Sequence, residues 1–230
     1  MLISSLHINV MGRSTVESYN EVHYHKDIIR YRCMIILFAV TFSSTACAEE
    51  GVQIISRESW GANPATKPMA DNKPVHLTIH HTGVRAKASI NLQAKLTSLQ
   101  KFSQSSAVLA DGRVKSAWAD VPYHYYIAVD GLIAEGRMAK YVGDSNTIYN
   151  LQGHLSIVLE GNFEHESPTE NQVRSLESLL TKLSRTHSID SSHIGAHKQY
   201  AKTACPGKKL LEILPKIKNN VSVRLASPQP

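Results

Sequence analysis

Val75, Leu77 and Ile79 alternate with His76, Thr78 and His80. That period of two predicts a half-buried strand with its histidines on the face opposite the aliphatic side chains. Residues 52–55 (VQII) predict a shorter strand, followed by a turn region that opens at Arg57 and closes with Pro64 and Pro68. Ile90, Leu92, Leu96 and Leu99 recur at helical spacing, so residues 89–105 predict a helix with Ser89 as N-cap. Residues 107–117, around Asp111-Gly112, read as a loop insertion. Residues 124–129 and 132–135 flank Asp130-Gly131 and predict a β-hairpin. Residues 155–160 (LSIVLE) predict a further strand. Thr169 with Gln172 forms a capping box ahead of a long helix whose apolar stripe is Val173, Leu176, Leu179, Leu180 and Leu183. A short last helix spans 206–214, with Pro206 in its first turn, and the tail 216–230 carries no core pattern. Strands and helices interleave, so the fold class is α/β: a single domain with a mixed β-sheet and helices on both faces.

Composition narrows the class. The chain has 230 residues, 42% hydrophobic and 19% charged, an ordinary balance for a folded globular protein of about 100–200 residues per domain. Its formal charge of +6 fits contact with anionic surfaces, but the Lys and Arg are scattered rather than striped, which argues against nucleic acid. The longest apolar run, Met34 to Val40 with Phe42 just beyond, is far short of the ~20 residues a membrane helix needs. Lys26, Arg30 and Arg32 precede that run, and Ala46-Cys47-Ala48 follows it. This is the pattern of a secretory signal. Residues 1–48 are therefore expected to be a leader with an N-terminal extension, cleaved after Ala48, and residues 49–215 the functional domain. The expected location is periplasmic or secreted. A lipoprotein processed at Cys47 is the alternative, but Ser44-Thr45-Ala46-Cys47 lacks the usual Leu three residues before the Cys.

Export alters the cysteine arithmetic. Cleavage removes Cys33 and Cys47 and leaves Cys205 as a lone thiol, which calls for burial or a partner. Two places concentrate metal-binding residue types: His80-His81 at the end of a predicted strand, and His197 followed eight residues later by Cys205. Zinc takes imidazole and thiolate, and a catalytic site supplies three protein ligands with one position open. A strand end is a rigid post for one ligand, and a curled loop can offer two more. Each spacing is weakly specific by itself.

In context, the chain resembles the zinc-dependent N-acetylmuramoyl-L-alanine amidases of the type-2 class, which share a fold with peptidoglycan recognition proteins and phage lysozyme-type amidases. Six blocks carry the resemblance, in order: Arg57-Glu58-Ser59-Trp60-Gly61-Ala62; the strand into His80-His81-Thr82; Trp118-Ala119-Asp120-Val121-Pro122-Tyr123-His124; Asp130-Gly131 to Glu135-Gly136-Arg137; Ser156-Ile157 to Gly161-Asn162-Phe163; and Gly195-Ala196-His197 to Ala204-Cys205-Pro206-Gly207. They span residues 57 to about 214. The resemblance implies Zn²⁺ held by His80, His197 and Cys205, Tyr123 as the tyrosine beside the metal, and Thr203, two residues before the Cys, at a catalytic position. It implies hydrolysis of the amide between the lactyl group of N-acetylmuramic acid and L-alanine of the stem peptide, with peptidoglycan or muropeptide fragments as partner and the chain acting as a monomer. Arg85 and Asn162 are candidates for substrate contact, with Lys87 and Arg137 behind them; Arg137 equally reads as a structural partner of a carboxylate.

Departures from the family pattern are informative. The cytoplasmic recycling branch carries Asp as third ligand and a catalytic Glu on the strand at 155–160; here those positions hold Cys205 and Val158, with Glu160 two residues on as a reserve. The animal recognition proteins carry a disulfide near the first strand that the processed chain cannot form. The proton shuttle is left open between a water chain, His124 and Glu160. Two rival readings stand beside the amidase: a module that binds peptidoglycan without cutting it, and a cell-wall cysteine peptidase using Cys205 as nucleophile.

Overall fold

The computed structural model describes residues 51–109 and 111–228. The leader assigned to residues 1–48, with Cys33 and Cys47, lies outside the described residues. Among the described residues, eight strands and three α-helices follow in chain order: β1 (Ile54–Ile55), β2 (His76–His81), α1 (Leu92–Ser103), β3 (Ala107–Val108), β4 (Val114–Lys115), β5 (Tyr125–Ile127), β6 (Ile133–Glu135), β7 (His154–Leu159), α2 (Glu170–His187), β8 (Ile194–Ala196) and α3 (Lys208–Ala226).

The main sheet has six strands in the order β1-β6-β5-β7-β2-β8. It is mixed: β5 and β6 form the antiparallel hairpin around Asp130-Gly131, while β1–β6, β5–β7, β7–β2 and β2–β8 pair in parallel. Gly131 takes φ +93° in the turn, a conformation that suits glycine.

Alternation divides the two faces. Leu77 and Ile79 of β2 and Leu155, Ile157 and Leu159 of β7 are fully buried against Leu176, Leu179 and Leu180 of α2 and Leu210, Ile217 and Val221 of α3. On the other face, Val158 and Tyr126 pack with Leu92 and Leu96 of α1 and with Trp60. His80 sits on that second face, in register with Val158. Helices therefore cover both faces, as expected.

Four expectations need correction. The last helix does not end at 214: α3 runs to Ala226, so residues 216–226 belong to the folded domain. Pro215 removes one helical hydrogen bond, an interior defect of roughly 3 kcal/mol. Burial of Ile217 and Val221 holds the helix through it, aided by Arg224 and Asn220, which reach Glu177 of α2 at 2.8 and 2.7 Å. Pro206 lies before α3 rather than in its first turn, and Gly207 is the N-cap. The first helix starts later than expected, because the Asn91 side chain, not that of Ser89, accepts the Ala94 amide. The presumed loop 107–117 contains the antiparallel pair β3–β4, with Gly112 at φ +79° in its turn. A further strand, β8, extends beyond what periodicity predicted; at three residues it is too short to reveal one.

Candidate active site

Three elements converge beside β2. His80 projects from its C-terminal half and is buried. His197 follows directly on β8 and opens a single 3₁₀ turn, His197–Gln199. Cys205 closes the loop that follows. The loop is cinched by its own backbone: the Lys198 amide donates to the Cys205 carbonyl at 3.0 Å, which brings the two ends of the eight-residue gap side by side. Gly207 fastens it further. Its φ is +91°, and a Cβ there would meet the Phe163 carbonyl carbon at 2.4 Å, so only glycine permits this approach.

The ligating atoms of His80, His197 and Cys205 all lie within 4.8 Å of one another. Cys205 Sγ is 3.7 Å from His80 Nδ1. Tetrahedral zinc with Zn–N of 2.0–2.1 Å and Zn–S of about 2.3 Å has an N···S edge of about 3.6 Å, so this pair is spaced for one ion. Among the described residues, His197 Nδ1 and His80 Nε2 are both buried without a hydrogen-bond partner. An orphaned imidazole nitrogen beside a thiol and a second imidazole fits a zinc centre.

The electrostatics agree with a site prepared for a cation. Burial first, and His197 second, hold the His80 imidazole well below its ordinary range. Burial, with a smaller contribution from His81, brings His197 to about 4. Both rings are thus neutral and able to ligate at pH 7. Burial pushes the Cys205 thiol up to about 12, against a lowering contribution from the His81 amide, which donates to Sγ at 3.3 Å. A divalent ion is the partner that would draw off that proton.

These residues line a cleft of about 210 Å³. Its apolar lining is Trp118, Pro122 and Tyr123, and its polar lining includes Thr82 and the run Asp144–Thr147. The Tyr123 ring lies 5.3 Å from the His80 ring, and burial raises its phenol above the ordinary value. A larger groove of about 600 Å³ lies between β1, the β5–β6 turn and α2, where Arg174 is the only ionisable residue in the lining among the described residues. It holds none of the chemistry described above.

The other candidates fall into place around this centre. Thr203 Oγ1 accepts the Cys205 amide at 3.2 Å, so it shapes the Cys205 turn; it is absent from the cleft lining. Arg85 is on the exposed segment after β2. Asn162 Oδ1 accepts the Glu164 amide at 3.2 Å and is occupied in its own turn. Arg137 is structural: it binds the Val121 carbonyl at 2.8 Å and pairs with Asp144. The opening motif is structural as well. Arg57 pairs with Asp120 at 2.7 Å, and Trp60 Nε1 donates to the Glu135 carbonyl at 2.7 Å.

Both reserve proton carriers are committed elsewhere. His124 Nδ1 accepts the Ser156 amide at 2.9 Å and Nε2 donates to the Tyr141 carbonyl at 2.8 Å. Glu160 accepts from the Lys87 amide, the Val129 amide and Lys95 Nζ, the last at 2.8 Å. Sequence reasoning missed the segment 144–149. Thr147 Oγ1 sits 2.6 Å from His197 Nε2, and the Tyr149 ring lies 5.2 Å from the His197 ring. No periodicity or spacing in Asp144-Ser145-Asn146-Thr147-Ile148-Tyr149 marks it.

Comparison with known proteins agrees with the geometry. The family described as N-acetylmuramoyl-L-alanine amidase matches residues 70–208, and the chain belongs to that family. It is 30% identical to peptidoglycan-recognition protein SC2 of Drosophila melanogaster over 179 residues, covering 76% of this chain and 91% of the relative. The solved structure of the N-acetylmuramoyl-L-alanine amidase LysC from Clostridium intestinale superposes with a TM-score of 0.57 at 25% identity, covering 73% of this chain and 97% of that one. Peptidoglycan recognition protein LE in complex with tracheal cytotoxin, a monomeric diaminopimelic acid-type peptidoglycan, superposes with a TM-score of 0.59 at 28% identity, covering 71% and 92%. Among the described residues, no helix is long and apolar enough to cross a membrane.

Proposed function

We propose that the protein is a zinc-dependent N-acetylmuramoyl-L-alanine amidase that hydrolyses the amide between the lactyl group of N-acetylmuramic acid and L-alanine of the stem peptide. The observation that carries this reading is the complete His80, His197 and Cys205 set, within 4.8 Å, in a cleft that Tyr123 also lines. The family membership and the relatives named amidases and recognition proteins support the substrate class.

Zinc held there supplies Lewis-acid polarisation of the scissile carbonyl and lowers the pKa of water toward ~7. The residues of the chain do the rest. His80 and His197 present neutral nitrogens because burial disfavours their charged forms. The His81 amide, aimed at Cys205 Sγ, favours the thiolate. Tyr123 keeps its proton at neutral pH, so its hydroxyl is available to donate to the oxygen that gains negative charge as the carbonyl is attacked. Thr203 acts by holding the Cys205 turn. Arg85, exposed after β2, meets the carboxylates of the stem peptide, and Asn162 borders the same approach. Export by the residue 1–48 leader delivers a monomeric enzyme to the periplasm or beyond.

A second reading, recognition without cleavage, is favoured by the relatives named recognition proteins. The full ligand set argues for catalysis. The cysteine-peptidase reading loses its footing, because burial raises the Cys205 thiol and lowers His80, which leaves a neutral pair instead of a thiolate–imidazolium one.

Mass analysis of muropeptide digests with zinc-loaded and metal-depleted protein tests the proposal. The amidase releases free stem peptide with L-alanine at its N-terminus, only when zinc is present. Binding of muropeptides without products supports the recognition module. Cleavage indifferent to chelation but lost on thiol alkylation supports the peptidase.

A further inference from the structure

One polar contact in the cleft lies outside the three-ligand set. Thr147 Oγ1 is 2.6 Å from His197 Nε2. The same hydroxyl is 2.8 Å from Ser145 Oγ, and the Thr147 amide donates to that serine oxygen at 3.1 Å. At the other edge of the imidazole, Nδ1 is buried and has no hydrogen-bond partner among the described residues.

We propose that Thr147 is a positioning residue: its hydroxyl accepts the Nε2–H of His197, fixes the ring's tautomer and rotation, and thereby presents Nδ1 as the metal-binding lone pair. The inference rests on the zinc-amidase reading of this site. A neutral imidazole carries one N–H and one lone pair. If Thr147 donated to Nε2, the proton would sit on Nδ1, as a buried donor with nothing to receive it, which is costly. If Thr147 accepts, the ring proton of His197 and the hydroxyl proton of Thr147 both have a destination. His197 Nε2–H goes to Thr147 Oγ1, the Thr147 hydroxyl proton goes to Ser145 Oγ, and what is left on the ring is the Nδ1 lone pair, free for the ion that His80 and Cys205 would share.

The hydroxyl pair is itself held in place. Asp144, which precedes Ser145, pairs with the buried Arg137, and its amide donates to the Pro122 carbonyl at 3.3 Å. The run that carries Thr147 is thereby tied to the same segment that carries Tyr123. Hydrogen bonds of this kind to a ligand's distal nitrogen set ring orientation and ligand basicity, and their loss typically lowers metal affinity ~10–100-fold.

The test combines ¹⁵N NMR of histidine tautomers in the metal-free protein with competition titration of Zn²⁺, applied to the wild type, Thr147→Val, Thr147→Ser and Cys205→Ala. The proposal expects the Nε2–H tautomer of His197 in the wild type. It expects zinc affinity lowered ~10–100-fold in Thr147→Val and restored to within a few-fold of wild type in Thr147→Ser. An Nδ1–H tautomer in the wild type overturns it, whether or not Thr147→Val folds. Wild-type zinc affinity in a folded Thr147→Val also overturns it. A wild type that binds no zinc, or Cys205→Ala binding as tightly as wild type, overturns the zinc reading instead, and the tautomer measurement still decides the role of Thr147.

Discussion

The Lys198 amide donates to the Cys205 carbonyl across 3.0 Å, and this bond turns an eight-residue separation into adjacency. His197 and Cys205 reach one centre because the loop between them closes on itself, while His80 comes from a strand paired on both sides, with β7 and β8. Loss of any of the three side chains leaves two ligands. We expect His80→Ala, His197→Ala and Cys205→Ala each to abolish stoichiometric zinc binding, as measured by metal analysis after dialysis. Retention of one zinc per chain in the Cys205→Ala protein contradicts this assignment.

Tyr123 tests the catalytic half. A phenol donating to a developing oxyanion contributes to the transition state more than to substrate binding. Tyr123→Phe is expected to lower kcat by ~10²–10³ with KM and zinc content little changed. An unchanged kcat removes Tyr123 from the mechanism.

Glu160 is expected to be structural. It receives Lys95 Nζ at 2.8 Å and two backbone amides, with 5% of its surface exposed. Breaking a buried pair by removing one charge costs about 3–5 kcal/mol. Glu160→Gln should therefore lower thermal stability measurably while leaving kcat of the folded protein within a few-fold of wild type. A stable Glu160→Gln variant with no turnover would restore the carboxylate as the proton carrier.

His124 predicts a direction for acid stability. Burial brings its imidazole down to about 4 in the folded protein, against about 6.5 when unfolded. Above pH ~6.5 both states are neutral and the group adds no pH dependence. As pH falls from about 6.5 toward 4, the unfolded state takes up the proton first, so stability declines through that window, by up to about 3 kcal/mol from this group. NMR titration should show no His124 protonation above pH 5. A midpoint near 6.5 contradicts the buried, doubly bonded placement.

Residues 216–226 carry a stability prediction. Ile217 and Val221 are buried in the core against α2. Ile217→Ala should cost about 2–5 kcal/mol. Deleting residues 216–230 should lower Tm sharply in a melting experiment. An unchanged Tm would return this segment to the status of a tail.

Much of the fold and of the site is legible in the sequence. The alternation at 75–80 already put His80 on the face away from Leu77 and Ile79, and the capping box at Thr169 and Gln172 forms as read. Two of the features that escape it show why. The reading of 216–230 as lacking a core pattern overlooks Ile217 and Val221, which continue the stripe of Leu210 and Leu214 past Pro215, a local stop signal that packing against α2 overrides. Thr147 belongs to a polar run whose shape is set by distant partners, Arg137 on Asp144 and Pro122 on the Asp144 amide, so nothing within the run announces its neighbour His197.

X-ray absorption at the zinc edge of the loaded protein addresses the central claim most directly. The account predicts one sulfur at about 2.3 Å and nitrogen or oxygen scatterers at about 2.0–2.2 Å in a four-coordinate shell, with the sulfur lost in Cys205→Ala. A shell of nitrogen and oxygen alone in the wild type, or four protein ligands with no open position, would contradict it.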